Sequence, residues 1–351
     1  MKTLTETAYV SRKVIKYAIV AAVAIMAVKL GWSLFSYYWE LKHPKPLPAP
    51  DTAYGKLPAL KFTDIYTKPQ KQLVLQLIDT KEPAFPDRLN IYFVIDQESK
   101  YLSLEKTTEQ VKDMGFITPP EKVYEDLYRF TNSNLNLTLT INPMTKTFLY
   151  QYPFQGDQTL MALSFKAEDV IPKAAENFLN RIGRDHADIK TDNMKVTLLR
   201  FDGASINKVS SLSEANLAQV DCFRDSIDQK YPVYPENLNK ANISMLVSAD
   251  SDGKRSIVEA QYKYFIVENK KFATYPLKTF AQAWELLQQG KYHLAKIESD
   301  IKGESIPIRK VYLAYLDPHY PTNFLQPVFV FEGDYDFVAF VPAISTEWIA
   351  E

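Results

Sequence analysis

The sequence predicts an α+β chain: one N-terminal transmembrane helix, then repeated units in which a helix is followed by antiparallel strands. Three observations carry that expectation. From Tyr17 to Trp39 the chain is apolar except for Lys29. Beyond it, apolar residues at helical spacing run up to a Gly three times, and each run leads into strand-like stretches. With 22 Tyr and 20 Phe against 10 Gly in 351 residues, the composition favours sheet over flexible loop.

The first element is a membrane anchor. At about 1.5 Å per helical residue, Tyr17–Trp39 reaches roughly 34 Å, enough to cross a hydrocarbon core of about 30 Å with some tilt. A cleavable signal would turn to small residues after its apolar run, whereas LGWSLFSYYW is bulky and aromatic. Trp32, Tyr37, Tyr38 and Trp39 instead suit the aromatic belt at a membrane surface. Lys2, Arg12, Lys13 and Lys16 precede the segment and Lys42 and Lys45 follow it, which places residues 1–16 in the cytoplasm and the rest outside. Lys29 either snorkels to the outer headgroups or pairs with an acidic residue in a partner helix. Ala27 and Gly31 form a small-xxx-small pair that would let such a helix approach.

Residues 40–69 follow as a stalk, with Pro44, Pro46, Pro48 and Pro50 favouring a semi-rigid extended spacer. A first α+β domain is expected over 70–156. Its helix is SLEKTTEQVKDMGF, with Ser103 as N-cap, Leu104, Thr108 and Val111 on one face and Gly115 as stop. Strands near KVYEDLYRF, LNLTLTI and KTFLYQY come next, and LNLTLTI alternates as a half-buried antiparallel strand does.

A larger second domain is expected over 157–351. In EDVIPKAAENFLNRIG, Pro172 fits only a first turn; Ala174, Phe178 and Ile182 share a face, and Gly183 closes the helix. Strands near DNMKVTLLRF, ISMLVSAD and RSIVEAQYKYFIVE follow, with DSDG as a hairpin turn. Residues 205–238 read as a polar, irregular excursion. The third helix, YPLKTFAQAWELLQQGK, has Pro276 near its start, Leu277, Phe280, Ala281, Trp284 and Leu287 at helical spacing, and Gly290 at its end. IPIRKVYLAYL, LQPVFVFEG and DFVAFVPAI complete the chain as strands, the last two joined by a tight EGDYD turn.

That last unit resembles the end of PepSY-type domains, in particular those of the membrane-anchored regulators of two-component sensor kinases of the YycH/YycI type. The shared features are a helix ending in Gly, a strand with a Y-x-A-Y cadence, and a QPVF-x-F-x-G strand. The resemblance covers the C-terminal unit. It implies PepSY-like helix-plus-sheet units held outside the cell on one membrane helix, and regulation through protein contact. No catalytic residue carries over from it.

Chemistry is sparse. There is no nucleophile elbow, zincin helix, phosphate loop or dinucleotide fingerprint. A formal charge of −1 gives no reason to expect nucleic acid as a partner. With Cys222 as the sole cysteine, intrachain disulfides and thiolate zinc cages are excluded, and Cys222 reads as a small buried residue. His43 falls in the stalk, His186 just past a helix end, and His293 at a strand start. His319 sits in a solvated turn two residues from Asp317, too few ligands for a metal site. Asp250 and Asp252, and Glu332, Asp334 and Asp336, read as turn carboxylates. No cofactor, metal or catalytic residue is expected.

The expected function is therefore an anchored extracytoplasmic binding or regulatory protein, with an envelope or membrane protein as partner. Tyr17, Lys29, Gly31, Trp32 and Trp39 would form the anchor. Phe329, Phe331, Tyr335 and Phe337 of the final hairpin, together with 205–238, would meet the partner. The alternatives are a scaffolding subunit that uses Ala27, Lys29 and Gly31 as a helix interface, and a hydrolase with a dispersed site.

Overall fold

The computed structural model describes residues 4–42, 49–78, 83–95, 103–183, 186, 188–250 and 255–350. It divides into two units, Met1–Ala49 and Pro50–Glu351. His43, Pro44, Pro46, Pro48 and most of the DSDG turn lie outside the described residues.

The first unit is one helix, α1 (Leu4–Lys42), which extends past the apolar stretch at both ends. No glycine pair or proline falls within it. Within it Arg12–Trp39 includes an 18-residue stretch of mean hydropathy 2.0 and is long and apolar enough to cross a membrane. Its apolar side chains are exposed, including Val28 and Trp32, each at 71%. A uniformly apolar helix of this kind is suited to lipid as its solvent.

In the second unit, β1 (Gln72–Leu75) and β2 (Arg88–Val94) precede α2 (Ser103–Lys112). Then come β3 (Glu121–Tyr124), β4 (Leu127–Asn132), β5 (Leu137–Ile141) and β6 (Phe148–Gln151). A short α3 (Gln158–Met161) and α4 (Val170–Arg181) lead to β7 (Ile189–Phe201), β8 (Ile206–Lys208) and β9 (Leu217–Arg224). Next are β10 (Val233–Pro235), β11 (Ile243–Ser248), β12 (Ile257–Tyr262) and β13 (Val267–Pro276). After α5 (Phe280–Gln288) follow β14 (His293–Lys296), β15 (Ser305–Asp317), β16 (Phe324–Leu325), β17 (Pro327–Gly333) and β18 (Val338–Pro342).

Three sheets result. A nine-stranded sheet, antiparallel throughout, runs β3-β4-β5-β6-β12-β11-β9-β7-β8. A six-stranded sheet runs β1-β15-β17-β18-β14, with β10 also on β15; β1 and β10 pair with β15 in parallel. The third sheet is β13-β2-β16. Val111 of α2 and Ile171, Ala175 and Phe178 of α4 pack with Leu139, Val220 and Met245 on one face of the nine-stranded sheet. Ala283 and Leu287 of α5 pack with Phe329 and Phe331 on the six-stranded sheet.

The α+β class agrees with the sequence pattern, and LTLTI has the alternating burial its spelling implies. Four expectations need correction. The line at 156/157 is not a sheet boundary, because β6 pairs with β12 (Tyr150 opposite Ala260), while β1 and β2 pair with β15 and β13. The chain from residue 50 on is no free stalk. Leu57 is fully buried, bridges Ile349 and receives the Ala350 N–H at 2.8 Å, while Gln326 Nε2 donates to the Pro58 carbonyl at 2.8 Å. The 205–238 stretch holds β8, β9 and β10, and β9 is an inner strand of the large sheet. Pro276 ends β13 rather than starting α5, which begins instead from a capping box between Thr279 and Gln282.

Candidate functional site

The final hairpin is core. Phe329, Phe331 and Phe337 are fully buried, so the proposed contact surface does not exist as one. Phe329 and Phe331 face α5. Val328 and Val330 face the other way, onto Ala314, Leu316 and Phe340, beneath Leu60, Phe62 and Tyr234. Chain from both sides thus covers this sheet, and every position of the VFVF run is apolar for that reason. Tyr335 is half-buried with φ 61°, in the turn, and its carbonyl accepts the Glu298 N–H at 2.9 Å.

Open surface lies elsewhere. Among the described residues β3 ends the nine-stranded sheet, pairs only with β4, and has all four residues exposed. Val123 is 41% and Tyr124 70% exposed, and Ile117 just ahead of them is 77% exposed. An end strand offers a row of backbone groups to any added strand.

The histidines and carboxylates are mostly engaged. Glu236, 5% exposed, accepts from His319 Nδ1 at 2.9 Å and from the Thr63 N–H. His293, 3% exposed, donates from Nε2 to the Glu236 carbonyl at 2.8 Å and stacks on Phe62 at 4.7 Å. Lys61 N–H donates to Tyr320 beside them at 3.0 Å. Burial opposes the Glu236 charge, yet the His319 and Thr63 hydrogen bonds outweigh it and hold its pKa below the usual glutamate range. Burial pushes His293 down against the raising pull of Glu236. This cluster clasps residues 61–63 to the body, so the LDPHYP turn is not the solvated one expected.

A second cluster is held by Arg224. Its Nε lies 2.8 Å from Asp317, its Nη1 3.0 Å from Asp188, and its guanidinium 4.0 Å over the Tyr264 ring. Tyr264 donates to Asp188 at 2.6 Å and stacks on His186 at 3.9 Å. Burial opposes the Arg224 charge, and Asp317, Tyr264 and Asp188 outweigh it. Burial raises the Asp317 carboxyl. Asp317 therefore serves Arg224 and His319 serves Glu236, so the two never share a site. Cys222 is 3% exposed, and burial pushes its thiol up to about 12, which makes it a poor nucleophile. Asp250 pairs with Arg255 at 2.9 Å, Asp334 with Arg309 at 2.7 Å, and Asp336 with Lys296 at 3.0 Å. Among the described residues, no three His, Cys, Asp or Glu side chains form a metal set.

A concave feature of the body is a cleft of about 600 Å³ between α4 and the β11–β12 hairpin. Phe165, Phe178 and Val247 form its buried floor, with Leu163, Val170 and Ala174 beside them. Lys166, Lys173 and Arg181 stand on its rim. Sequence reasoning passed over this site because its walls come from α4 and from strands far along the chain.

No family model and no curated protein matches the chain, so the PepSY-type resemblance is neither supported nor opposed by these comparisons. Among solved structures it is similar to an uncharacterized protein from Eubacterium rectale ATCC 33656. That likeness has 13% identity, covers 74% of this chain and 84% of the other, and has a TM-score of 0.37.

Proposed function

We propose that this is a membrane-anchored binding protein that regulates or assembles an envelope protein by direct contact through the β3 edge. The carrying observation is β3 itself, an end strand whose four residues are all exposed, with Val123 and Tyr124 on it and Ile117 just ahead of it. Strand addition would supply backbone hydrogen bonds, and the apolar side chains would supply selectivity. The α1 helix would hold the body at the membrane, with Tyr17, Trp32 and Trp39 at its interfaces and residues 50–351 on the extracytoplasmic side. Regulation without catalysis, and repeated PepSY-like units, are part of the same reading, which rests on the resemblance of residues 275–344.

The test is capture from crosslinked intact membranes, comparing the full chain with a Val123→Lys/Tyr124→Lys variant. Both side chains are exposed, so the fold is expected to persist. At least a tenfold loss of the captured partner is expected; unchanged capture would overturn the reading.

A scaffolding role through α1 is the second reading. It is favoured by the open face at Gly31, where an added Cβ would meet nothing within 4 Å, next to Ala27 and Lys29. Loss of the complex on Lys29→Leu, with the Val123→Lys/Tyr124→Lys variant still bound, would select it.

A further inference from the structure

The structure assigns a second binding site, independent of the β3 edge: we infer that the α4 cleft takes a short extended peptide, apolar in its middle and acidic toward its ends. The volume of about 600 Å³ lies within the range of built ligand sites and is too large to be a packing defect. Its lining is apolar at Leu163, Phe165, Val170 and Val247, and Val170 stays 45% exposed at the mouth.

Charge decides what kind of apolar ligand it suits. Lys173 is paired with Asp169 at 2.7 Å, and Asp250, the lining carboxylate, is paired at 2.9 Å with Arg255, which also holds Asp157 at 2.6 Å. Among the described residues this leaves Lys166 and Arg181 without an ion pair; the Arg181 guanidinium lies 5.7 Å from the Phe178 ring. The cleft is thus lined by two cations outside any ion pair among the described residues, while its lining carboxylate is held by an arginine.

Their placement selects the shape. Lys166 precedes α4 and Arg181 is in its last turn, so the cations flank a helix that is 12 residues long. Twelve residues make about 18 Å of helix. A strand of about five residues spans roughly 17 Å. Ser164 and Asn177, both exposed on the rim, can meet the amides of such a segment. A single-headed amphiphile such as a fatty acid would use one cation and leave the other idle.

The experiment uses the full chain in nanodiscs and fluorescein-labelled five-residue peptides read by anisotropy. The probes are Asp-Val-Leu-Val-Asp, Lys-Val-Leu-Val-Lys and Asp-Ser-Ser-Ser-Asp, with decanoate as competitor. The acid-ended apolar peptide is expected to bind at least tenfold more tightly than either control. A Lys166→Glu/Arg181→Glu variant, altered only at exposed side chains, is expected to reverse the preference between Asp and Lys ends. Binding is expected to survive the Val123→Lys/Tyr124→Lys change, which separates this site from the edge. Equal binding of all three peptides, no binding at millimolar concentration, or a preference that charge reversal leaves in place would overturn the assignment. So would displacement by decanoate of a signal that does not distinguish Asp from Lys ends, which would mark the cleft as a lipid-carboxylate site.

Discussion

The six-stranded and nine-stranded sheets are built from similar residues but stand in different surroundings. The first is covered on one face by α5 and on the other by Leu60, Phe62, Tyr234 and Leu238. Its inner strands β17 and β18 are apolar at consecutive positions. The second leaves β3 exposed at one end and keeps a cleft beside α4. A sheet covered on both faces has no open face for a partner, whereas one with an exposed end strand and a cleft has surface left for one. Burial is therefore why the proposed interaction site lies away from the most aromatic stretch, on a strand of modest composition.

The largest expected effect strikes the sealed sheet. Phe331→Ala would open a cavity among Phe329, Trp284 and α5, and a loss of about 3–5 kcal/mol is expected by denaturant unfolding. A loss below about 1 kcal/mol would mean the face is not packed as described. A comparable 3–5 kcal/mol is expected for Arg224→Met, because it strands the buried Asp317 carboxylate without its partner. Combining it with Asp317→Leu should restore much of that loss, and failure to do so would show that the cost lies in packing rather than charge. Gly333→Ala comes next. Its Cβ would sit 2.7 Å from the Pro307 carbonyl oxygen, and about 1–3 kcal/mol is expected to be lost.

Smaller and more local is the response to acid. The pKa values of Glu236 and His293 are both lower in the folded chain. For Glu236 this is stability present above the ordinary glutamate range and lost as pH falls through its lowered value. For His293, the unfolded chain takes up a proton below about pH 6.5 that the folded chain resists, so stability also falls with acid. Hydrogen exchange of the Lys61 and Thr63 amides, corrected for intrinsic rate, should accelerate between pH 7 and pH 4 ahead of the β17 amides. Simultaneous acceleration of both would deny the clasp a separate existence. The smallest stability change, within about 0.5 kcal/mol, is expected for the Val123→Lys/Tyr124→Lys variant, since neither side chain is buried.

Much of the fold was legible because local pattern and tertiary role agree. Gly115, Gly183 and Gly290 each take a positive φ where a helix stops, as their place after an apolar run implies. The long apolar helix α1 was legible from length and polarity alone. What failed had a readable cause. In LAQVDCFR, Ala218, Val220 and Cys222 alternate toward the core, while Gln219 and Asp221 on the other face satisfy one another at 2.7 Å. The polar half of the period masked the strand. In QPVFVF the continuous apolar run already implied burial on both faces, and reading its aromatics as surface overlooked that. The Glu236 clasp and the α4 cleft join residues far apart in sequence, so no local spacing could announce them.

The most direct test of the central contrast is photo-crosslinking in intact membranes from a benzoyl-phenylalanine placed at Tyr124 or, separately, at Phe331. Crosslinks to another protein from position 124, with only intrachain products from position 331, are the expected result. Intermolecular crosslinks from 331 and none from 124 would contradict it, and would return the contact surface to the final hairpin.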